Sequence, residues 1–172
     1  ATGMQDAPQR EPPRPSLIAK LREPMATAVL ALGITQIIGW GTSLYVLGVL
    51  GAPIAAETGW SRGLVFGGLT VGLLVSAAIS TAIGRLIDQH GGRLVMCIGS
   101  ALTALGLALL AVVPDETAYL AVWALLGVAM RMSLYDAAFA ALVQVTPSRG
   151  RRAISYLTLF GGFASSVFWP IG

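Results

Sequence analysis

The sequence predicts an all-α membrane protein, a bundle of helices that crosses a lipid bilayer several times. Over its 172 residues, 55% of the side chains are apolar and 11% are charged, and the mean hydropathy is +0.76. A soluble domain carries roughly 25% charged residues, so the deficit is too large for one apolar helix to explain. The apolar residues also fall into long runs separated by short polar segments. The lipid bilayer is therefore the first expected partner.

Residues 1–24 are predicted to form a disordered cytoplasmic tail. They are rich in proline, arginine and glutamine, with prolines at positions 8, 12, 13 and 15, and such segments bury too little apolar surface to fold. A cleaved signal peptide is not expected, because the apolar run that follows the tail is too long for one.

The remaining residues, 25–172, are predicted to form a membrane domain with five transmembrane helices, because one crossing takes ~20 residues. Pro24 suits the first turn of the first helix, and Pro53 is expected to end it. Ser61 and Thr117 are expected to cap the second and fourth helices. The predicted spans are about 25–52, 61–84, 94–113, 118–145 and 153–172.

The basic residues of the loops, counted with Arg62 in the first link, predict the orientation of the chain. Four precede the first span, one lies in the first link, two lie in the second, none in the third and three follow the fourth span. Cytoplasmic loops carry the excess of lysine and arginine. The sequence therefore predicts a multi-pass protein of the inner cell membrane with a cytoplasmic amino terminus.

Two patterns on the first two spans predict helix contacts. Small side chains recur every fourth residue on the second span, at Gly68, Gly72, Ser76, Ser80 and Gly84, and such a row allows another helix to approach closely. On the first span, polar or aromatic side chains follow one another at helical spacing at Gln36, Trp40 and Ser43. This stripe is expected to face protein or water, either for hydrogen bonds between helices or for contact with a ligand.

The predicted fourth span contains two charged residues, Arg131 and Asp136. A charge at the bilayer centre costs ~2.5–3.5 kcal/mol, so such residues usually face a cavity or a partner. Five positions correspond to about 140° around a continuous helix, which predicts that the two charges have separate partners. Tyr135 follows Arg131 by four residues and is expected on the same face. Arg131 either serves a central cavity or pairs with a buried carboxylate elsewhere.

The link between the second and third predicted spans carries a spaced motif, Gly84-x-x-x-Asp88-x-x-Gly91-x-Arg93. It resembles the loop signature of the major facilitator superfamily of secondary transporters, although Gln89 and Gly92 replace positions that are commonly basic. A glycine at a helix end allows close backbone approach, and Gly91 allows a tight turn at positive φ. We expect Asp88 and Arg93 to tie neighbouring helix ends. An ordinary polar turn between helices is the alternative.

Three further segments resemble a bacterial branch of that superfamily related to monocarboxylate and oxalate/formate porters. They are Gly59-Trp60-Ser61-Arg62, Leu134-Tyr135-Asp136-x-x-Phe139 and the segment at 161–170. The resemblance covers about residues 25–172 and implies two six-helix halves around a solute cavity. The chain would then hold five helices of the amino-terminal half and stop before the sixth, with the carboxy-terminal half of the same transporter as a partner.

The resulting hypothesis is a secondary active transporter that moves a small anionic, monocarboxylate-like solute, with or without a coupled proton, by alternating access. Its expected substrate-binding residues are Arg131, Tyr135, Gln36, Trp40 and Ser43. Its expected conformational gating residues are Gly84, Asp88, Gly91, Arg93 and Asp136. A non-transporting membrane assembly or anchor module, in which the buried charges are structural, is the alternative.

Enzymatic activity is not expected. The sequence shows no spaced cluster of histidine, cysteine and acidic residues and no nucleophile–base pair, and His90 is its only histidine. No metal or cofactor is predicted, and Cys97, the only cysteine, excludes a disulfide within the chain. Nucleic-acid binding is not expected either, because the basic residues form no surface with interleaved aromatic residues.

Overall fold

The computed structural model of the protein describes residues 24–145 and 150–168, and every regular element in these ranges is a helix. The all-α class is therefore confirmed. Residues 1–23 of the predicted tail and the basic link before the fifth predicted span lie largely outside these ranges. The elements are α1 (Pro24–Trp40), a π-helical turn (Gly41–Tyr45), α2 (Val46–Thr58), α3 (Arg62–Ala78), α4 (Ser80–His90), α5 (Gly92–Leu110), α6 (Glu116–Ser133), α7 (Tyr135–Val145) and α8 (Gly150–Phe168).

Three helical segments of the described chain are long and apolar enough to cross a membrane: Met25–Thr58, Gly92–Leu110 and Glu116–Val145. The bent pair α3 and α4 makes a fourth crossing if it is one span. Large apolar side chains on several helices stay exposed, as expected of surfaces that face lipid. These features indicate a membrane protein. Helix α8, which covers most of the fifth predicted span, does not reach the same apolarity, so the five-span half stays a prediction.

The first span is longer than predicted, because Pro53 lies inside α2 and does not end it. Proline is tolerated within membrane helices where the surroundings satisfy the freed backbone groups. The helix ends instead at Gly59, whose φ of +73° is the left-handed conformation that glycine adopts at helix ends. Of the two predicted caps, Ser61 is confirmed by a 3.1 Å hydrogen bond from the Leu64 amide. Thr117 is not the cap, since Asp115 accepts the Ala118 amide at 2.8 Å.

The segment predicted as a charged loop after position 84 is mostly helical. Helix α4 continues to His90, and its axis is bent by 57° from that of α3. The reason lies in two residues one turn apart, Ile83 and Ile87, which are buried in the core while Asp88 on the same helix is exposed. An amphipathic segment of this kind is stabilised as a helix by packing.

The turn itself is a single residue, Gly91, with φ +82° and ψ 151°. The predicted positive φ at this glycine is confirmed. The close approach expected at Gly84 is not found, since a Cβ added there would meet nothing within 4 Å. The close contact belongs to Gly92, where an added Cβ would lie 2.5 Å from the carbonyl oxygen of Ala137 on α7. The glycine that lets two backbones meet is therefore the first residue of α5.

The row of small residues on α3 packs against α6 over part of its length. A Cβ added to Gly72 would lie 2.9 Å from the carbonyl oxygen of Trp123, and the indole of Trp123 covers Gly68. Gly127 on α6 faces the backbone of Gly72 directly. The predicted close interface is therefore present at Gly68 and Gly72, and at Gly72 the two helices meet backbone to backbone.

The predicted fourth span is interrupted at Leu134. This residue has φ −82° and ψ −161°, an extended conformation that separates α6 from α7. The break lies in the chain between two groups of buried apolar residues. One group, on α2, α3 and α6, includes Val65, Trp123 and Leu126. The other is formed by α1, α4, α5, α7 and α8, together with Met132 near the end of α6.

Candidate functional site

Arg131 and Asp136 form an ion pair, which is the only ion pair within residues 24–145 and 150–168. Arg131 Nη1 donates to Asp136 Oδ2 at 2.5 Å. The prediction that the two charges have separate partners is therefore wrong. It assumed one continuous helix, whereas the extended conformation of Leu134 resets the direction of the side chains that follow.

The same guanidinium also reaches α4. Arg131 Nη2 donates to the hydroxyl of Ser80 at 2.6 Å, and Ser80 is the first residue after the bend at Ile79. Arg131 thus joins two helix interruptions, the bend between α3 and α4 and the break between α6 and α7. The sequence had placed Ser80 in a packing row, and its position among glycines gave no indication of this bond.

A third interruption is the π-helical turn at 41–45. It directly follows α1, the helix that contacts the break between α6 and α7. Gln36, fully buried on α1, donates from Nε2 to the Ser133 carbonyl at 3.0 Å, just before Leu134. The Thr42 hydroxyl donates to the Ile38 carbonyl at 2.8 Å, and Ser43 donates to the Gly39 carbonyl. These side chains supply partners where the α-helical hydrogen bonds are interrupted.

A cavity of about 270 Å³ lies beside the ion pair and brings three of the expected substrate-binding residues together. Trp40, Arg131 and Tyr135 line it, together with Asp136; we call it the Arg131 cavity. Its remaining lining residues are Leu44, Leu73, Ser76, Met130 and Leu134. Tyr135 was expected there because of its i+4 relation to Arg131. It reaches the cavity although the helix is broken between the two.

Two other expected substrate-binding residues are not brought to this cavity. Gln36 and Ser43 are buried, and each donates a hydrogen bond to a backbone carbonyl. The bond of Gln36 joins two helices, as in the alternative in which the stripe serves hydrogen bonds between helices. The aromatic part of the stripe does reach the cavity. The ring centroids of Trp40 and Tyr135 are 5.2 Å apart, and Tyr135 stacks on Phe139 at 5.2 Å.

Two residues that line the cavity, Arg131 and Trp40, each have a donor atom without a partner among the described residues. Arg131 Nε and Trp40 Nε1 are buried without an acceptor. The Asp136 side chain is 55% exposed and uses only Oδ2 in its bond to Arg131. Native proteins leave few buried donors unpaired, and an unpaired donor often has a water or a ligand as its partner. Water or a polar solute with acceptor and donor groups is the kind of partner that these unused atoms lack.

Most of the expected gating residues lie outside the Arg131 cavity. Gly84 and Gly91 belong to α4 and its carboxyl end, and Asp88 is exposed without an ion pair in the described chain. Arg93 is also exposed and lines a separate groove with Thr27 and residues of α7. Neither residue forms an ion pair within residues 24–145 and 150–168, and their expected role in tying neighbouring helix ends stays a prediction.

Asp136, the remaining expected gating residue, lines the cavity instead. Its position was missed because neither Ser133 nor Leu134 is a residue that ordinarily ends a helix, and a local pattern at 133–134 predicts no break.

No family model, curated protein or solved structure matches this chain.

Proposed function

We propose that this chain belongs to a secondary active transporter that moves a small carboxylate-bearing solute by alternating access, and that the Arg131 cavity is its solute site. The observation that carries the proposal is the position of Arg131. Its guanidinium joins two interrupted helices and lines a cavity with Trp40 and Tyr135. The resemblance to the major facilitator superfamily favours the same function.

Interrupted helices support transport for a physical reason. Membrane helices keep their backbone groups bonded internally, and irregular backbone at membrane depth is tolerated only where protein or a cavity covers it. Transporters place solute sites at such interruptions, near the middle of the bilayer. Here the bend at Ile79 and the break at Leu134 meet at one arginine side chain.

The chemistry of the cavity favours a carboxylate. A guanidinium can hold a carboxylate with two parallel hydrogen bonds, and the low dielectric of the membrane interior strengthens that attraction. The sequence led us to expect an anionic, monocarboxylate-like solute. The close α3–α6 contact at Gly72 and Gly127 provides an interface along which helices could move during alternating access.

The ion pair also supports a second candidate, a non-transporting membrane module. Both terminal nitrogens of Arg131 already have partners, Asp136 and Ser80, as in a purely structural pair. In that case Arg131 would hold α4, α6 and α7 together and no solute would bind. The unpaired Nε of Arg131 and the unpaired Trp40 Nε1 favour the transporter.

Uptake by the full-length protein in proteoliposomes tests the proposal, with radiolabelled propionate, L-lactate and L-alanine and with an imposed proton gradient. Arg131→Ala should abolish both binding and uptake. Its free energy of unfolding should fall by about 1.5–3 kcal/mol, the scale of a hydrogen bond to a charged group. The loss should stay below the ~3–5 kcal/mol of a fully buried broken pair, because Asp136 is half exposed.

The matched control is Arg62→Ala, which removes an exposed arginine at the start of α3. This variant should keep both uptake and stability. An Arg131→Ala protein that is strongly destabilised yet still binds and transports its solute would support the structural module and contradict the proposed site.

A further inference from the structure

We infer that the Arg131 cavity selects a zwitterion whose carboxylate and ammonium groups are attached to the same carbon, a small 2-amino acid, and that Asp136 determines this specificity. The inference deepens the proposed function and rests on it for transport, but its binding step can be tested separately. It also gives Asp136 a different role from the gating role expected from the sequence.

The charges that line the cavity favour a solute without net charge. Arg131 and Asp136 form a pair of opposite charges that line one cavity, so the site carries no net charge from these two groups. A monocarboxylate that entered alone would add an uncompensated negative charge inside the membrane, where an isolated charge is costly. A zwitterion adds no net charge, and each of its charged groups can face an opposite charge.

The short distance between the two charged groups favours a solute whose own charges are close together. The charged atoms of the pair are adjacent, with 2.5 Å between Arg131 Nη1 and Asp136 Oδ2. A solute that faces both must also carry its two opposite charges next to each other. A 2-amino acid does so, because one carbon separates its carboxylate from its ammonium group. In 4-aminobutanoate three methylene groups separate them, and that solute cannot face both partners in the same compact arrangement.

The cavity provides partners for both charged groups of such a solute. For the ammonium group, the cavity offers the half-exposed Asp136 carboxylate and the rings of Trp40 and Tyr135, and aromatic faces attract cations. For the carboxylate, it offers the guanidinium of Arg131. Arg131 Nε and Trp40 Nε1 are buried and unpaired, and a solute carboxylate would reach them only if the two side chains moved.

Calorimetric binding to the full-length protein in nanodiscs tests the inference with five probes: L-alanine, L-lactate, propionate, 4-aminobutanoate and ethylamine. L-Alanine should bind at least about tenfold more tightly than any other probe, the lower end of what one charge-assisted hydrogen bond contributes. Lactate or propionate binding as tightly as alanine would overturn the inference and leave the proposed transport of carboxylates standing.

Two variants sharpen the test. Asp136→Asn removes the partner of the ammonium group and frees the guanidinium, so the preference should reverse in favour of lactate and propionate. Glu57→Gln neutralises an exposed acid on α2 and should keep the wild-type order. An unchanged preference in Asp136→Asn would overturn the role of Asp136. If that variant does not fold, the order of the wild-type affinities decides the question.

Transport is then measured separately, which keeps the two proposals distinguishable. Alanine that binds but is not taken up by proteoliposomes would contradict the proposed function and leave the specificity of the site intact. Failure of every probe to bind would overturn both.

Discussion

Replacement of Gly127 with alanine should destabilise the protein, although alanine is the better helix former. An added Cβ would lie 2.8 Å from the carbonyl carbon of Gly72 and 2.9 Å from its Cα. Both are backbone atoms, which cannot rotate away as a side chain would, so α3 and α6 must separate. Overpacking costs ~1–3 kcal/mol and a helical Gly→Ala change gains ~1 kcal/mol. With the overpacking cost at its upper end, the net loss should be about 2 kcal/mol.

The assay is equilibrium unfolding of the purified protein in mixed detergent micelles, with Gly67→Ala as the matched control. Gly67 lies on α3 near the same interface, but a Cβ added there would meet nothing within 4 Å. The control should therefore be as stable as the wild type or up to ~1 kcal/mol more stable. The two substitutions are chemically identical, and the two proteins should differ in stability by about 2–3 kcal/mol. A Gly127→Ala protein as stable as Gly67→Ala would refute the backbone contact between α3 and α6.

Three other changes test separate parts of the structure. Gln36→Leu should lower the free energy of unfolding by about 1–3 kcal/mol, because it leaves a carbonyl at the α6–α7 break without its donor; unchanged stability would argue against that bond. Gly91→Ala should cost about 1–3 kcal/mol because its φ and ψ suit glycine alone, whereas Gly84→Ala, which has open space, should not, and equal stabilities would contradict the turn. In a cysteine-free background, cysteine at Gln89 should be labelled from the cytoplasm and cysteine at Asp115 from outside; labelling of both from one side would refute the predicted orientation.

The sequence predicted those parts of the fold that depend on composition and local chemistry. Long apolar runs are sufficient to indicate membrane helices, and the Ser61 cap and the positive φ at Gly91 follow from what one residue can do. The close contact at Gly72 was predictable for a similar reason. A row of small residues has few uses on a membrane helix other than contact with a second helix.

The helix interruptions could not be predicted in the same way. Neither Ile79 nor Leu134 is glycine or proline, and both interruptions are accompanied by contacts from distant parts of the chain. Arg131 reaches Ser80 across 51 positions, and Gln36 reaches the Ser133 carbonyl across 97. Because helical geometry was assumed through Leu134, the pairing of Arg131 with its own neighbour in sequence was missed.

The helix break at Leu134 also bears on how the chain enters the membrane during synthesis. Each of the two charges would add ~2.5–3.5 kcal/mol to the insertion of a lone helix at its centre. Since Arg131 and Asp136 both belong to Glu116–Val145 and pair with each other, this segment carries its counter-charge with it through the translocon. Its insertion need not wait for an acidic residue on a later helix. A straight helix with the same residues would enter the bilayer with both charges unpaired.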